Sequence, residues 1–374
     1  MKILFISPTS RAGTPQYTHN LANALADHGH EVAYASGVSF ELAEYPRRYY
    51  LLEVFDRYRI HPPLVWNFFR FLSSFRPEII HYQGALHPLT YLFSWAVLRI
   101  LTRARFVYTP QEILPFGERS YYHYPLRVFY KQMEHVFLNA EQNRSVAIDL
   151  LNVKPDKITV LPMADLLAFL RENLKSITSS EVNTHKSVLF FGQILERKGL
   201  DVLIAAFPKV LEHVPEAQLC IAGKAQMDIT PYLENIEYLE LSEHTIMDLS
   251  YVTFDKMADY FQSASVVVLP YRVGWNSGVL ASAFGFGKPV IVTRVGGLEE
   301  IVDAEVSGLI VEPEDPVSLA DAIVRVLTDQ TLKERLDIGV SEAAGFYSWN
   351  TIAQQTEDQY LNVLHDRSCI QDAG

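Results

Sequence analysis

Short apolar runs alternate with helical patterns along the first half of the chain. Ile3–Ser7 predicts a buried strand, and Thr14-Pro15 then offers an N-cap and a first-turn proline for a helix that Gly29 ends. Further apolar runs predict strands at Val32–Ala35, Glu78–His81 and Phe106–Thr109. Because strands that alternate with helices form a parallel, doubly wound sheet, we expect ligands to bind at the carboxyl ends of these strands.

The same alternation begins again in the second half. Val188–Phe191 predicts a strand that ends at Gly192, and Leu200–Leu211 carries apolar residues at helical spacing. Pro208 lies inside that pattern and is expected to kink or break the helix. Asp315-Pro316 is expected to cap another helix. Further buried strands are predicted at Leu219–Ala222, Val266–Pro270, Pro289–Thr293 and Leu309–Glu312.

A polar stretch separates the two halves. Residues 169–185 are rich in charged, hydroxyl and amide side chains, which is typical of a linker between domains. The chain is therefore predicted to form one α/β domain over 1–168 and a second over 186–349. Two such domains leave a cleft in which a ligand is shielded from water.

Composition limits the kinds of partner that the protein is expected to bind and the cellular compartment in which it is expected to lie. The 374 residues are 49% hydrophobic and 20% charged, which fits two globular cores, and the net charge of −12 argues against a nucleic-acid partner. Residues 1–165 hold 17 Lys and Arg against 14 Asp and Glu, whereas the remainder holds 15 against 30. The first apolar run is too short for a signal peptide, and the two cysteines form no disulfide framework or zinc spacing, so a cytoplasmic location is expected.

The first candidate phosphate site is the strand, loop and helix at 188–203. Gly192 lets the chain turn at the end of the strand, and Lys198 and Gly199 lie where the helix begins. A lysine beside free N–H groups at a helix N-terminus suits a diphosphate. A loop with a solvated lysine is an equally weighted alternative for this motif alone.

A second helix start follows the strand at Val266–Pro270. Ser277 is a plausible N-cap, and Ser277, Gly278 and Val279 would present unpaired N–H groups. An ordinary capped helix is the alternative. Two such helix starts at strand ends of one domain favour phosphate binding.

Gly13 and Thr14 follow the first strand of the chain. They could contact a phosphate or the transferred sugar from the other side of the cleft. A plain turn from strand to helix is the alternative, and spacing alone favours that alternative.

Taken together, these segments resemble family 4 of the retaining glycosyltransferases, which have the GT-B fold of two Rossmann-like domains facing each other across a cleft. The resemblance covers nearly the whole chain. Its closing segment implies a C-terminal helix, at about 350–374, that crosses back onto the N-terminal domain. The matching motifs are GTPQYTHNLANALADHGHEV, PEIIHYQG, VYTPQEILPF, FFGQILERKG, SGVLASAFGFGKPVIVTRVGGLEEIV, SGLIVEPED and YSWNTIAQQTEDQYLNVL.

The resemblance implies metal-independent transfer of a hexose from a UDP- or GDP-linked sugar, with retention, to a glycan, lipid-linked or small-molecule acceptor. No cofactor is implied besides the nucleotide-sugar substrate. The implied donor-binding residues are Gly13, Thr14, Gly192, Gln193, Lys198, Val252, Ser277, Gly278 and Val279. The implied acceptor-side residues are Tyr17, His81 and Gln83, and the catalytic candidates are Lys198, Gln111 and Glu112.

The chain departs from the family pattern at several positions. Gln193 replaces an arginine of many members, and Gln111 replaces a histidine. The two carboxylates of the family's Glu-x7-Glu pair fall at Gly274 and Ser282. The usual Pro-His-Gly before the linker is replaced at 162–164 by Pro-Met-Ala. These changes motivate a second hypothesis, a weak or inactive homologue that binds nucleotide sugar or a partner subunit.

Two other enzyme classes are disfavoured. A sugar-nucleotide epimerase of the same architecture would need positioned carboxylates and histidines, and few are present at the expected positions. A dinucleotide oxidoreductase would need a Gly-x-Gly-x-x-Gly after a strand, and the chain has none.

The segment from 44 to 76 is rich in Arg, Tyr and Phe, and Arg99, Arg103 and Arg105 add to its charge. Arginine with aromatic residues suits an anionic membrane surface, so one hypothesis places the protein peripherally on the inner membrane face with a lipid-linked acceptor. Ordinary packing with a solvated basic face is the slightly favoured alternative.

Overall fold

The computed structural model describes residues 1–56, 62–84, 88–114, 123–174, 186–274 and 277–365, with the side chains of 172–174 outside the description. The chain divides into two compact units. Unit 1 comprises Met1–Pro162 and Trp349–Gly374, and unit 2 comprises Met163–Ser348. Each unit is a parallel α/β domain, which confirms the predicted fold class.

Unit 1 is built on a parallel sheet of seven strands in the order β3-β2-β1-β4-β5-β6-β7. The chain leaves β1 in one direction and returns past it to β4, so the sheet has its switch point between these two strands. The strands are β1 (Lys2–Ile6), β2 (Glu31–Gly37), β3 (Tyr50–Phe55), β4 (Ile79–Gln83), β5 (Arg105–Thr109), β6 (His135–Leu138) and β7 (Ile158–Val160).

The helices of unit 1 pack on both faces of this sheet. Apolar side chains of α2, α3 and α4 join the sheet in one core, whereas α1 packs against α14. The helices are α1 (Gly13–Asp27), α2 (Pro62–Phe75), α3 (Pro88–Leu101), α4 (His123–Lys131), α5 (Gln142–Ser145), which continues as a π-helix at Val146–Leu150, and α14 (Trp349–His365).

The C-terminal helix α14 belongs to unit 1, which confirms its predicted return. Trp349 meets the ring of Tyr17 edge-on at 4.9 Å between centroids. The carboxylate of Glu357 is shared by His28, at 3.0 Å, and His30, at 3.1 Å. Residues 366–374 of the predicted returning segment lie outside the described residues.

Unit 2 is built on a parallel sheet of six strands in the order β10-β9-β8-β11-β12-β13. Its switch point lies between β8 and β11. The strands are β8 (Lys186–Phe191), β9 (Ala217–Ala222), β10 (Thr245–Asp248), β11 (Val266–Leu269), β12 (Val290–Thr293) and β13 (Gly308–Val311).

The helices of unit 2 surround this sheet. They are α6 (Ala168–Leu174), α7 (Leu200–His213), α8 (Thr230–Tyr238), α9 (Phe254–Ser263), α10 (Gly278–Gly285), α11 (Leu298–Ile301), α12 (Pro316–Thr328) and α13 (Gln330–Phe346). Asp315 caps α12 as predicted, because its carboxylate accepts from the backbone N–H groups of Val317 and Ser318 at 3.0 Å each.

Three local expectations differ from the structure. Helix α7 continues through Pro208 without ending there, because Phe207 and Val210 on its buried stripe hold both halves in one core. The N-cap position of α1 is Ala12, and Thr14 lies inside the first turn. The chain divides after Pro162, and part of the predicted linker forms α6, whereas residues 175–185 lie outside the described residues.

Candidate active site

The candidate site lies at the switch point of unit 2, where β8 and β11 run side by side. The chain continues from β8 to β9 on one side and from β11 to β12 on the other, and in such sheets ligands bind in the crevice at the carboxyl ends of the two strands. Gly192 directly follows β8, and Tyr271 lies two residues after the end of β11. Both loops therefore contribute to the same edge of the sheet.

Gly192 brings a lysine and a helix start close to the strand end. Its φ of +105° belongs to the region that favours glycine. A Cβ atom at this position would lie 2.9 Å from Nζ of Lys198 and 3.5 Å from a methyl group of Val279. Any side chain here would press on both neighbours, so glycine keeps this space open.

Lys198 is a buried cation. Only 8% of its surface is exposed, and its Nζ lies 5.1 Å from the ring centroid of Tyr271. Among the residues that the structure describes, no carboxylate lies within 4.0 Å of this ammonium group. A buried ammonium without a carboxylate is costly unless an anion approaches it, so the pocket favours an anionic ligand.

The loop that carries Lys198 is held by its backbone. Glu196–Lys198 forms one turn of 3₁₀ helix that ends at Gly199, whose φ is +64°. A Cβ atom on Gly199 would lie 2.0 Å from the carbonyl oxygen of Pro270. The two loops at the switch point therefore touch backbone to backbone, and this contact fixes where Lys198 lies.

Arg272 ties the same loops together through its side chain. Its guanidinium donates to both carboxylate oxygens of Asp201, at 2.9 and 2.6 Å, and to the carbonyl oxygen of Glu196 at 2.8 Å. The hydrogen bonds to Asp201 raise the pKa of Arg272, so the guanidinium stays charged. Sequence reasoning missed Arg272. Its only local signal is that it is charged and lies just beyond a buried strand.

Helix α10 begins beside this cation without a side-chain cap. Ser277 occupies the predicted N-cap position, yet its hydroxyl makes no capping bond and lies 3.4 Å from the hydroxyl of Tyr271. A Cβ atom on Gly278 would lie 2.5 Å from a methyl group of Leu166, so the segment before α6 packs directly on this helix start. The first N–H groups of α10 are thus available to an acceptor.

A buried carboxylate holds the other end of α10. Asp165 pairs with Arg171 at 2.7 Å and accepts from the backbone N–H of Leu167 at 2.9 Å. Burial raises the pKa of Asp165, while Arg171 and a hydrogen bond from Ser282 oppose that shift. Position 282, where the family pattern has a carboxylate, therefore carries a hydroxyl bonded to Asp165. Sequence reasoning did not identify Asp165.

Two predicted donor residues lie apart from this cluster of contacts. Gln193 is exposed on the loop that follows Gly192. Val252 is buried just before α9, so only its backbone could meet a ligand.

In unit 1, the loop after β1 carries backbone strain. Ala12 has φ 73° and ψ −160°, a combination almost restricted to glycine, and its N–H donates to Glu41 at 2.7 Å. Gly13 then opens α1, and a Cβ atom on Gly84 would lie 2.8 Å from a methyl group of Thr14. The ends of β1 and β4 are therefore closely packed around Gly13 and Thr14.

His81 and Tyr17 are core residues of unit 1. The two ring nitrogens of His81 bond to the hydroxyl groups of Tyr360 and Thr109. Burial lowers the pKa of His81 to about 3, so the ring is neutral. Tyr17 is fully buried beneath Trp349, and burial raises its pKa. His81 thus holds α14 to the sheet and Tyr17 holds α14 to α1, and neither side chain faces solvent.

The glutamines of unit 1 keep unused polar atoms. Gln83 is fully buried with its Nε2 at 3.3 Å from His81, and its Oε1 has no hydrogen-bond partner among the described residues. Nε2 of Gln111, just beyond β5, likewise has none within the described part of the chain. Glu112 is partly buried beside Gln111. Among the predicted residues, Gln83 and Gln111 thus keep hydrogen-bonding capacity for a ligand, as does the buried hydroxyl of Tyr17.

Comparison with known families assigns each half of the chain. Residues 11–164 match a family model described as "Glycosyltransferase Family 4", and residues 185–329 match one described as "Glycosyl transferases group 1". Each half of the chain thus matches a glycosyltransferase model. The first domain contains the strained loop and the buried glutamines, and the second contains Lys198 and the start of α10.

Several curated glycosyltransferases are similar in sequence. An uncharacterized glycosyltransferase of Methanocaldococcus jannaschii is 38% identical over 47% of this chain and 44% of its own length. The gpi3 subunit of phosphatidylinositol N-acetylglucosaminyltransferase from Schizosaccharomyces pombe is 23% identical over 95% of this chain and 79% of its own. The phosphatidyl-myo-inositol mannosyltransferase of Mycobacterium leprae is 34% identical over 50% and 49%. The chain thus spans about half the length of two of these relatives.

Solved structures share the fold over nearly the whole chain. Sucrose-phosphate synthase from Thermosynechococcus elongatus aligns with a TM-score of 0.70 at 20% identity, over 98% of this chain and all of the other. HepE of Anabaena, in complex with UDP, aligns with a TM-score of 0.69 at 18% identity, over 97% of this chain and 100% of HepE. At such identities the likeness establishes the fold of the two glycosyltransferase domains.

Proposed function

We propose that this chain transfers a sugar from a nucleotide-diphosphate donor, with the diphosphate bound by unit 2. The observation that carries the proposal is the buried ammonium of Lys198, which has no carboxylate neighbour in the described residues and lies beside Gly192. The uncapped start of α10 meets the same glycine through Val279. A diphosphate satisfies both the cation and the free N–H groups.

The same groups suit the chemistry of transfer. As the bond between sugar and diphosphate breaks, negative charge grows on the leaving phosphate. Lys198 and the N-terminus of α10 are fixed in place before the reaction, so they stabilise that charge without reorganisation. With this positive charge supplied by the chain, we propose transfer with retention and without a required metal ion.

The acceptor is proposed to be lipid-linked. Two of the relatives are named for transfer to phosphatidylinositol or phosphatidyl-myo-inositol. Gln83 and Gln111 each have an unpaired polar atom that an acceptor hydroxyl could bond to. A lipid-linked acceptor also agrees with a peripheral position on the inner membrane face.

A nucleotide-sugar-binding homologue without activity is the second candidate. Gly274 offers no side chain, and Ser282 is bonded to Asp165, so neither position supplies the carboxylate of the family pattern. The sugar and ribose would then be held by other groups or only weakly.

Titration calorimetry with UDP, GDP and other nucleoside diphosphates tests the donor site. We expect one diphosphate to bind with a 1:1 stoichiometry, and absence of binding to all of them contradicts the proposal. Incubation of the preferred nucleotide with its sugar conjugates then separates the two candidates. Slow release of free sugar supports an enzyme, whereas tight binding without release supports the inactive homologue.

A further inference from the structure

Helices α2, α3 and α4 share one face of the first sheet. Tyr82 on β4 points towards this face, where its ring lies 5.2 Å from that of Tyr91 on α3 and 5.6 Å from that of Phe129 on α4. Its neighbour His81 points the opposite way, towards Tyr360 on α14. The outward surfaces of α2, α3 and α4 therefore form one side of unit 1.

The outward surface of α3 is apolar. Its exposed residues include Leu89, Phe93, Ala96 and Ile100, whose spacing of four, three and four places them in one line along the helix. We name this line the α3 stripe. Phe93 is 73% exposed and Ile100 is 83% exposed, although the opposite side of α3 is already buried against the sheet. A helix that is apolar on both sides requires a second apolar neighbour.

Large aromatic residues are also exposed on the two other helices of this face. Trp66 on α2 is 71% exposed, and Tyr124 on α4 is 74% exposed. Single exposed apolar residues are ordinary on protein surfaces, but large ones on three helices of one face mark an interaction surface. Trp and Tyr are the side chains enriched where an apolar phase meets water.

The charge of this face is opposite to that of the whole chain. Helices α2, α3 and α4 contain no Asp or Glu, although the chain carries a net charge of −12. Five exposed basic residues lie on or directly after these helices, at Arg70, Arg76, Arg99, Arg103 and Lys131. Arg105, which the sequence pattern grouped with Arg99 and Arg103, is less exposed and pairs with Glu134 at 3.5 Å. The face thus complements an anionic partner.

We propose that the α2–α3–α4 face docks on the surface of an anionic lipid bilayer, with the α3 stripe entering the boundary between head groups and acyl chains. Apolar residues in one line, flanking arginines and rim aromatics are the features that hold a helix in that boundary. No described helix combines the length and apolar character needed to cross a bilayer, so α3 lies along the surface.

A second copy of the chain fits this face less well. A two-fold contact would bring the same face of both copies together, so Arg70, Arg99 and Lys131 would meet like charges. Anionic lipid head groups instead neutralise these cations. The docking also deepens the proposed function, because it brings unit 1 to the surface where a lipid-linked acceptor resides, and in that respect it rests on the proposed function.

Vesicle flotation of the full chain, without donor or acceptor, tests the docking. We expect the protein to float with vesicles of phosphatidylcholine and phosphatidylglycerol, to stay behind with phosphatidylcholine alone, and to be released by salt. The double variant Phe93→Glu/Ile100→Glu and the single variant Arg99→Glu should each lower the bound fraction roughly tenfold or more. Ile338→Glu, at a 66% exposed position on α13 of unit 2, is the matched control and should bind as the wild type does.

Three results overturn the docking proposal. The first is no flotation with the anionic vesicles, and the second is equal flotation with both kinds of vesicle. The third is a wild type that elutes as a dimer without lipid in size-exclusion chromatography while Phe93→Glu/Ile100→Glu elutes as a monomer. That third result would assign the face to a second copy of the chain. Nucleotide binding measured on the same variants should be unchanged, so failure of the docking and failure of the donor site are distinguishable.

Discussion

The two units have the same strand order on either side of their switch points. They differ in the residues that lie at the carboxyl ends of their central strands. In unit 1 the end of β4 carries His81, whose two ring nitrogens bond to Tyr360 and Thr109, and the buried Gln83, whose Nε2 lies 3.3 Å from His81. In unit 2 Gly192 follows β8 and keeps the space beside Lys198 free of a side chain. One frame therefore carries a neutral buried polar cluster in one unit and, in the other, a buried cation without a carboxylate neighbour among the described residues.

This difference teaches where function resides in a repeated fold. The sheets and helices fix the directions of the loops, while the first residues after each strand decide whether the edge binds a ligand or closes on itself. The outer surfaces differ as well, because α2, α3 and α4 of unit 1 carry no carboxylate whereas the helices of unit 2 are rich in them.

The largest effect is expected where backbone contact fixes the cation in unit 2. Gly199→Ala places a Cβ atom 2.0 Å from the carbonyl oxygen of Pro270, so we expect a loss of about 4 kcal/mol in unfolding free energy, together with loss of diphosphate binding. Gly287→Ala is the matched control, because Gly287 has a similar φ of +68° and open space around it. It should lose only about 1 kcal/mol. Equal losses in urea unfolding would show that the contact with Pro270 does not matter.

The buried histidines of unit 1 predict that the stability of the chain depends on pH. Burial lowers the pKa of His81 to about 3 and that of His19 and His135 to about 4. The unfolded chain therefore binds more protons than the folded one below pH 6.5, and stability falls as the pH drops from 7 to 5, by about 1–2 kcal/mol for each histidine. Hydrogen bonds with Asn350 and Glu357 raise the pKa of His28, and the stabilisation gained when this histidine is protonated offsets part of the loss.

Urea unfolding at both pH values, in wild type and in His81→Gln, measures this dependence. We expect the variant to be less stable at pH 7 but to lose less on acidification. A pH slope that is unchanged in His81→Gln would mean that His81 does not titrate on unfolding.

The smallest effect is expected at Ser277. Its hydroxyl makes no capping bond, so Ser277→Ala should weaken diphosphate binding by only about 0.5 kcal/mol or less, because the backbone N–H groups of α10 carry the contact. Calorimetry with the preferred nucleoside diphosphate provides the comparison. A loss as large as that of a charged hydrogen bond would assign the contact to the side chain instead.

Local patterns predicted central strands of the two sheets and the positions of Gly192, Lys198 and Ser277, because a strand, a turn and a helix start are encoded within about ten residues. The return of α14 was implied by the family resemblance. Arg272 escaped prediction because its partner Asp201 lies 71 residues away. Asp165 escaped prediction because the helix α10 that it holds, through Ser282, is also distant in sequence. His81 was assigned to the acceptor from its motif alone. Whether it faces a ligand or the core depends on which side of β4 it occupies, and the structure places it beneath α14.

The short strands at the sheet edges were also missed. Tyr50–Phe55 lies in the segment that its arginines and aromatics marked as a membrane candidate, yet it forms β3, paired with β2. Within that segment α2 presents an exposed helical surface, and the more apolar surface is on α3.

The central claim is that the buried ammonium of Lys198, which has no carboxylate neighbour in the described part of the chain, binds the donor diphosphate. Lys198→Ala tests this claim most directly. Calorimetry with the preferred nucleoside diphosphate should show a loss of about 1.5–3 kcal/mol, which is the free energy of a charged hydrogen bond. Lys333→Ala, which removes an exposed lysine paired with Asp337 at 3.2 Å, should leave the affinity unchanged. An affinity that is the same in Lys198→Ala as in the wild type would contradict the account.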